Sequence, residues 1–179
     1  ERFRRPVRQD RQYIKRGLSR SDWGLTMNTI TIDKKVMMEE IRTLISEGYT
    51  VELTAKGYSM NPFIKHLQDI ILLGPWKDEE IRKGAVVLAK DLKGNYIIHR
   101  VIRREGDIVT LMGDGNIGLT EQAEVKDIIA RMYSVKRKGR TYGTDGLIWR
   151  LYSWFWMLIT PVKRYPLGLW SRLNPQTPL

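Results

Sequence analysis

From Ala85 to Met112 the chain reads Ala85-Val86-Val87-Leu88-Ala89-Lys90, then Asp91-Leu92-Lys93-Gly94-Asn95, then Tyr96-Ile97-Ile98-His99-Arg100-Val101-Ile102-Arg103, and, past Glu105-Gly106, Asp107-Ile108-Val109-Thr110-Leu111-Met112. Three apolar runs rich in β-branched residues are separated by short clusters of turn formers, with no helical period between them. That pattern predicts antiparallel strands joined by tight turns. Working outward, Thr50-Val51-Glu52-Leu53-Thr54 alternates as a strand, and Ile70–Leu73 and Ile128–Lys136 have the same character. Closely spaced strands without intervening helices define a mainly β, antiparallel domain. Upstream, Asp33 is a capping residue for a helix over 34–47, in which Val36, Met37, Ile41, Leu44 and Ile45 recur with near-helical spacing and Gly48 supplies the stop.

The 179 residues suit one domain with its own core. With no cysteine there is no disulfide framework, thiolate metal site or cysteine nucleophile, and two histidines, His66 and His99, argue against a histidine-rich metal site. No cofactor or metal is therefore expected. The net charge is +11, concentrated in residues 1–20 and in Lys136-Arg137-Lys138-Gly139-Arg140. Such clusters attract phosphates of nucleic acid or lipid. Residues 1–26 lack an apolar period and read as a basic, disordered extension ahead of the β domain at 27–145. A lone amphipathic helix followed by a strand is not a helix-turn-helix, so no nucleic-acid partner is expected.

Composition changes at Gly146. Leu147 to Ile159 is strongly apolar and helical in pattern, and four of the six tryptophans fall between Trp149 and Trp170, among Arg150, Lys163 and Arg164, with Arg172 following. Segment 146–179 thus has two readings: a helix packed over an open face of the β domain, or an interfacial segment making peripheral membrane contact through residues 147–172. No run approaches the roughly 20 apolar residues of a membrane span, and the N-terminal residues lack the apolar centre of a secretory signal. The expected location is accordingly peripheral to a membrane or cytoplasmic.

Three chemical types needed for nucleophilic catalysis follow in order: Ser59 in Gly57-Tyr58-Ser59-Met60-Asn61-Pro62, His99 in the central strand, and Asp114 in Gly113-Asp114-Gly115-Asn116. A serine nucleophile needs a base to take its proton and an acid to orient that base. Taken singly, Ser59 and Asp114 are ordinary turn residues and His99 an ordinary strand residue. Alternation puts Ile97, His99 and Val101 on one face of the strand and Tyr96, Ile98 and Arg100 on the other.

Over residues 55–121 the Gly-x-Ser-Met-x-Pro box, Asp69 before an apolar strand, Lys83-Gly84-Ala85-Val86-Val87, His99-Arg100-Val101 and the Gly-Asp-x-Asn box occur together. In this combination the chain resembles the signal peptidase I superfamily of serine peptidases, which includes the LexA-type peptidases, and within it the histidine-base branch of endoplasmic-reticulum type. The resemblance implies a serine endopeptidase in which Ser59 is the nucleophile and His99 stands where other branches carry a lysine. It also implies oxyanion donors at the backbone N–H of Ser59 and Tyr58, and an extended protein or peptide substrate beside the strand leading to Ser59. Asp114 is the expected acid, with Glu121 the alternative. Departures from the family pattern are Gly57 where some members carry a hydroxyl, Gln68 where a glycine is common, and no N-terminal membrane anchor. Two other functions compete: a self-cleaving repressor-like regulator, for which neither a DNA-binding unit nor an Ala-Gly or Cys-Gly cleavage site is present, and a catalytically silent binding protein of the same fold. A histidine base near its reference pKa implies activity that falls below about pH 6.

Overall fold

The computed structural model describes residues 33–116 and 118–158, all in the second of the chain's two compact units, Asp33–Leu179. The basic extension at 1–26, and the part of the Trp-rich segment beyond Leu158, lie outside the described residues. The elements are α1 (Lys34–Ser46), β1 (Val51–Thr54), β2 (Ile70–Gly74), β3 (Val86–Lys90), β4 (Tyr96–Glu105), β5 (Ile108–Met112), β6 (Glu121–Glu124), β7 (Ile128–Arg137), β8 (Arg140–Gly143) and α2 (Leu147–Leu158).

The strands form one antiparallel sheet in the order β1-β2-β7-β3-β4-β5-β6. One edge of β7 pairs along its length with β2, while the other pairs first with β3 and then, from Ser134, with β8. The mainly β, antiparallel architecture read from the sequence is what the chain adopts.

Local chemistry accounts for the turns. Between β3 and β4, Asp91 Oδ1 accepts the N–H groups of Lys93 and Asn95 at 3.0 and 2.7 Å, and Gly94 takes the left-handed conformation with φ +86°. The hairpin then sets β3 and β4 in register, with Val87 opposite His99. α1 begins where Asp33 Oδ1 accepts the N–H of Lys35 at 2.7 Å. It ends where Tyr49 N–H reaches Leu44 O and Gly48 N–H reaches Ile45 O, both at 3.0 Å, with Gly48 at φ +92°. Its buried stripe is Met38, Ile41 and Ile45, packed toward β7 and β1; Val36 and Met37, expected on that face, are exposed. Met38, Ile41 and Ile45 keep the i, i+3, i+7 spacing of one face, which turns the buried stripe toward Met38 and away from Met37.

Both faces of the sheet carry apolar clusters. One holds Val86, Leu88, Ile71, Leu73, Met132 and Val135, with residues from α1 and Trp149 of α2. The other holds Val87, Ala89, Val101, Val109, Leu111 and Ala123. β4 divides its side chains between them as alternation requires: Ile98 packs on the first cluster, Ile97 and Val101 on the second. His99 and Arg100 are therefore adjacent in sequence and opposite in direction.

Candidate active site

Ser59 sits half-buried in the loop joining β1 to β2. The loop is closed at its base, where Ala55 N–H bonds to Asp69 O at 2.9 Å and Leu67 N–H to Ala55 O at 2.7 Å. Asp69 is fully buried; it accepts Lys65 N–H at 2.7 Å and a bidentate pair of bonds from Arg137 at the end of β7. The same guanidinium reaches Phe63 O at 2.7 Å, clamping the loop to the sheet. On either side of this clamp Met60 and Ile64 enter the core, and Phe63 packs edge-on to Trp149 and flat against Tyr152. With both neighbours anchored, Ser59 is held at a fixed place on the surface.

Two further contacts fix the backbone on each side of the serine. Gly57, at φ +117°, gives its N–H to His66 Nδ1 at 2.8 Å, and the His66 ring lies against Tyr58 with centroids 4.6 Å apart. The proton of a neutral His66 therefore resides on Nε2. On the other side, Gly115 N–H bonds to Ser59 O at 2.8 Å. The 113–116 turn lies so close that a Cβ on Gly113 would fall 2.3 Å from Ser59 O, and one on Gly115 2.8 Å from Tyr58 O. Both glycines are needed for backbone approach. The N–H groups of Tyr58 and Ser59 meet no acceptor among the described residues. They are thus free to serve an oxyanion.

His99 is almost completely buried, and its Nδ1 lies 3.0 Å from Glu121 Oε2 on the first residue of β6. Its partner's position follows from the sheet: Val101 pairs with Leu111 across β4 and β5, and Leu111 with Glu121 across β5 and β6. Burial pushes the imidazole below the ordinary histidine range, and the Glu121 charge and hydrogen bond, with weaker help from Asp114 and Asp91, only partly offset it. A neutral ring facing a carboxylate through Nδ1 carries its proton there and presents Nε2 as the basic atom.

Asp114, expected to be the acid beside His99, is engaged elsewhere. Its carboxylate forms a bidentate pair with Arg100, at 2.8 and 2.6 Å. Arg100 is fully buried and also donates to Gly84 O at 2.9 Å and to Ser153 Oγ of α2 at 2.8 Å. Burial works against the Arg100 charge, but the Asp114 attraction and hydrogen bonds outweigh it, so the guanidinium stays protonated. The carbonyl of Asp114 further accepts the Trp156 indole N–H at 3.1 Å. Alternation in β4 accounts for the pairing: the Asp114 carboxylate meets Arg100 on one face, and Glu121 meets His99 on the other.

The Gly113–Asn116 turn meets the Ser59 loop, and strand pairing sets Glu121 against His99 near the same end of β5, but no hydrogen bond joins Ser59 to His99 among the described residues. Glu121 was legible only as a second choice. His66 was missed, and nothing in the local sequence marks it, because its partner lies nine residues away across a loop. Among the described residues no group of three or more His, Cys, Asp or Glu could hold a metal ion. Comparison of the chain with protein-family models, curated proteins and solved structures gives no significant match in any of the three.

Proposed function

We propose that this chain is a serine endopeptidase resembling the histidine-base signal peptidases, with Ser59 as nucleophile, His99 as base and Glu121, rather than Asp114, as the orienting acid. The observation that carries the reading is the buried His99 with Nδ1 3.0 Å from Glu121 Oε2. A neutral imidazole so held is ready to accept a proton at Nε2. His99 takes the Ser59 hydroxyl proton as Oγ attacks the scissile carbonyl, and the resulting imidazolium is stabilised by Glu121. The proton passes to the leaving amine as the C–N bond breaks, and water then hydrolyses the acyl-enzyme by the same base. The unengaged N–H groups of Ser59 and Tyr58 are the oxyanion donors; one such donor contributes on the order of 3 kcal/mol to the transition state. The substrate is an extended peptide laid along β1, which ends the strand order of the sheet and leads directly into the Ser59 loop.

The test is acylation by a fluorophosphonate probe, followed by mass spectrometry of the labelled peptide. Covalent label on Ser59, absent in Ser59→Ala and prevented by His99→Ala, is the expected outcome. Equal labelling of native protein and Ser59→Ala, or none of either, would make the chain a catalytically silent protein.

A further inference from the structure

α2 presents two unlike faces. Trp149, Ser153 and Trp156 turn inward and are buried. Leu147, Ile148, Leu151, Trp154, Phe155 and Leu158 turn outward and are 51–76% exposed. Their spacing, i, i+1, i+4, i+7, i+8, i+11, makes a single stripe along the whole helix with no charged residue in it. Six large apolar side chains kept together in water on one helix mark an interaction surface.

Charge beside the stripe says what kind. A cavity of about 340 Å³ on the flank of α2 is lined by Arg82, Lys83, Arg150 and Trp154, together with Glu80, Arg131 and Asp145. Both of those carboxylates bind Arg131, at 2.7 and 2.8 Å. Arg82, Lys83 and Arg150 form no ion pair among the described residues, so three free cations border the stripe. The stripe itself offers one hydrogen-bonding group, the Trp154 indole N–H. A protein partner would be expected to meet about one hydrogen bond per 100–200 Å², whereas lipid hydrocarbon asks for none, and an indole suits headgroup depth. The 12 described residues of α2 span about 18 Å, and their amphipathic pattern suits a helix lying in a bilayer surface. No helix among the described residues is long and apolar enough to cross a membrane.

We infer that the outward stripe of α2 and the Arg82–Lys83–Arg150 rim form a docking surface for an anionic lipid bilayer, with the stripe in the acyl boundary and the cations on headgroup phosphates. This goes beyond the peptidase reading and does not depend on it. The surface is nonetheless coupled to the candidate site, because Ser153 and Trp156 on the inner face bond Arg100 and Asp114. Deleting α2 would therefore remove core residues, and the test has to be made with outward substitutions in the full chain.

Flotation of the full chain with vesicles of phosphatidylcholine containing about a third phosphatidylglycerol, against pure phosphatidylcholine, reads the binding. Tryptophan quenching by brominated lipid reads insertion. The native chain is expected to float with the anionic vesicles and to be quenched. Leu151→Glu/Trp154→Glu should lose at least tenfold in partitioning and the quenching with it, with unchanged circular dichroism and melting temperature. Arg82→Glu/Lys83→Glu/Arg150→Glu should lose binding to the anionic vesicles. Absence of native binding overturns the inference. So does binding or quenching that survives the apolar double substitution, which would assign vesicle binding to other cations such as those of residues 1–20. Native dimers in sedimentation that the double substitution dissociates would also overturn it, by assigning the stripe to a second copy. Fluorophosphonate labelling without vesicles is scored separately, so loss of docking and loss of catalysis are distinguishable.

Discussion

Replacing Glu121 by glutamine tests the division of labour between the two acids. The native pair places a carboxylate oxygen 3.0 Å from His99 Nδ1, with side chains 5% and 23% exposed. In the proposed mechanism His99 takes the Ser59 proton and an imidazolium forms beside that carboxylate, with charge centres roughly 4 Å apart. At an effective dielectric of 20 their attraction is about 4 kcal/mol, and the water reaching Glu121 reduces it to about 2–4 kcal/mol. Glutamine removes the charge, so the second-order rate of fluorophosphonate acylation should fall about 30- to 1,000-fold. The variant also has a qualitative signature. The Glu121 charge raises the His99 pKa, so its loss must move the acid limb of the rate to still lower pH. Asp114→Asn is the control with the opposite profile. It leaves Arg100 buried without its counter-ion, which costs about 3–5 kcal/mol of stability and so lowers the melting temperature by about 6–20 °C. In the residual folded protein the acid limb should stay near its native position. A Glu121→Gln rate within threefold of native, or a stable Asp114→Asn that has lost acylation, would refute this assignment and return the acid role to Asp114.

Three further outcomes follow from the geometry. Because burial dominates at His99 and lowers its pKa, the acylation rate in the native chain should stay at its plateau through neutral pH and fall only at a midpoint below 6.5. The same group contributes stability that is present above pH 6.5 and lost as pH falls through the folded pKa, measurable as a denaturation midpoint that declines in that window. Gly113→Ala places a methyl 2.3 Å from Ser59 O; it should cost about 1–3 kcal/mol in denaturant titration and displace the serine enough to suppress labelling. His66→Ala removes the acceptor of the Gly57 N–H and should slow labelling about 2- to 10-fold, the loss expected for one hydrogen bond. His66→Asn, whose Oδ1 can stand near the Nδ1 position, should restore most of it, and equal loss in both variants would assign His66 to packing alone.

Much of the fold was legible because β3, β4 and β5 combine β-branched apolar runs with turns that need Asp91, Gly94 and Gly106 where they stand. β6 and β8 were not, for a physical reason. Glu121-Gln122-Ala123-Glu124 and Arg140-Thr141-Tyr142-Gly143 have little or no apolar alternation, and become strands only because β5 and β7 offer them an edge. The same gap explains why the partner of His99 was not read from the sequence. Glu121 reaches His99 only once β6 is paired to β5, a tertiary fact that spacing along the chain does not carry. Asp114 was the natural first choice in sequence because it stands in a recognisable turn, and that turn packs against the backbone of Ser59 and Tyr58 through Gly113 and Gly115.

The adjacent pair His99-Arg100 ties these observations together. Alternation sends the imidazole to one face of β4, where it can change protonation, and the guanidinium to the other, where it cannot. Arg100 then gathers the Asp114 turn, the Gly84 carbonyl and Ser153 of α2 around one permanent charge. The turn so fixed is the one whose Gly115 N–H holds Ser59 O. Force applied to α2 from outside therefore reaches Ser59 through Ser153, Arg100 and Asp114 without passing through His99. An α2 substitution that loosens this chain, such as Ser153→Ala, should slow acylation of Ser59 while leaving the acid limb set by His99 and Glu121 where it was. Had the helix acted on His99 itself, rate and acid limb would shift together.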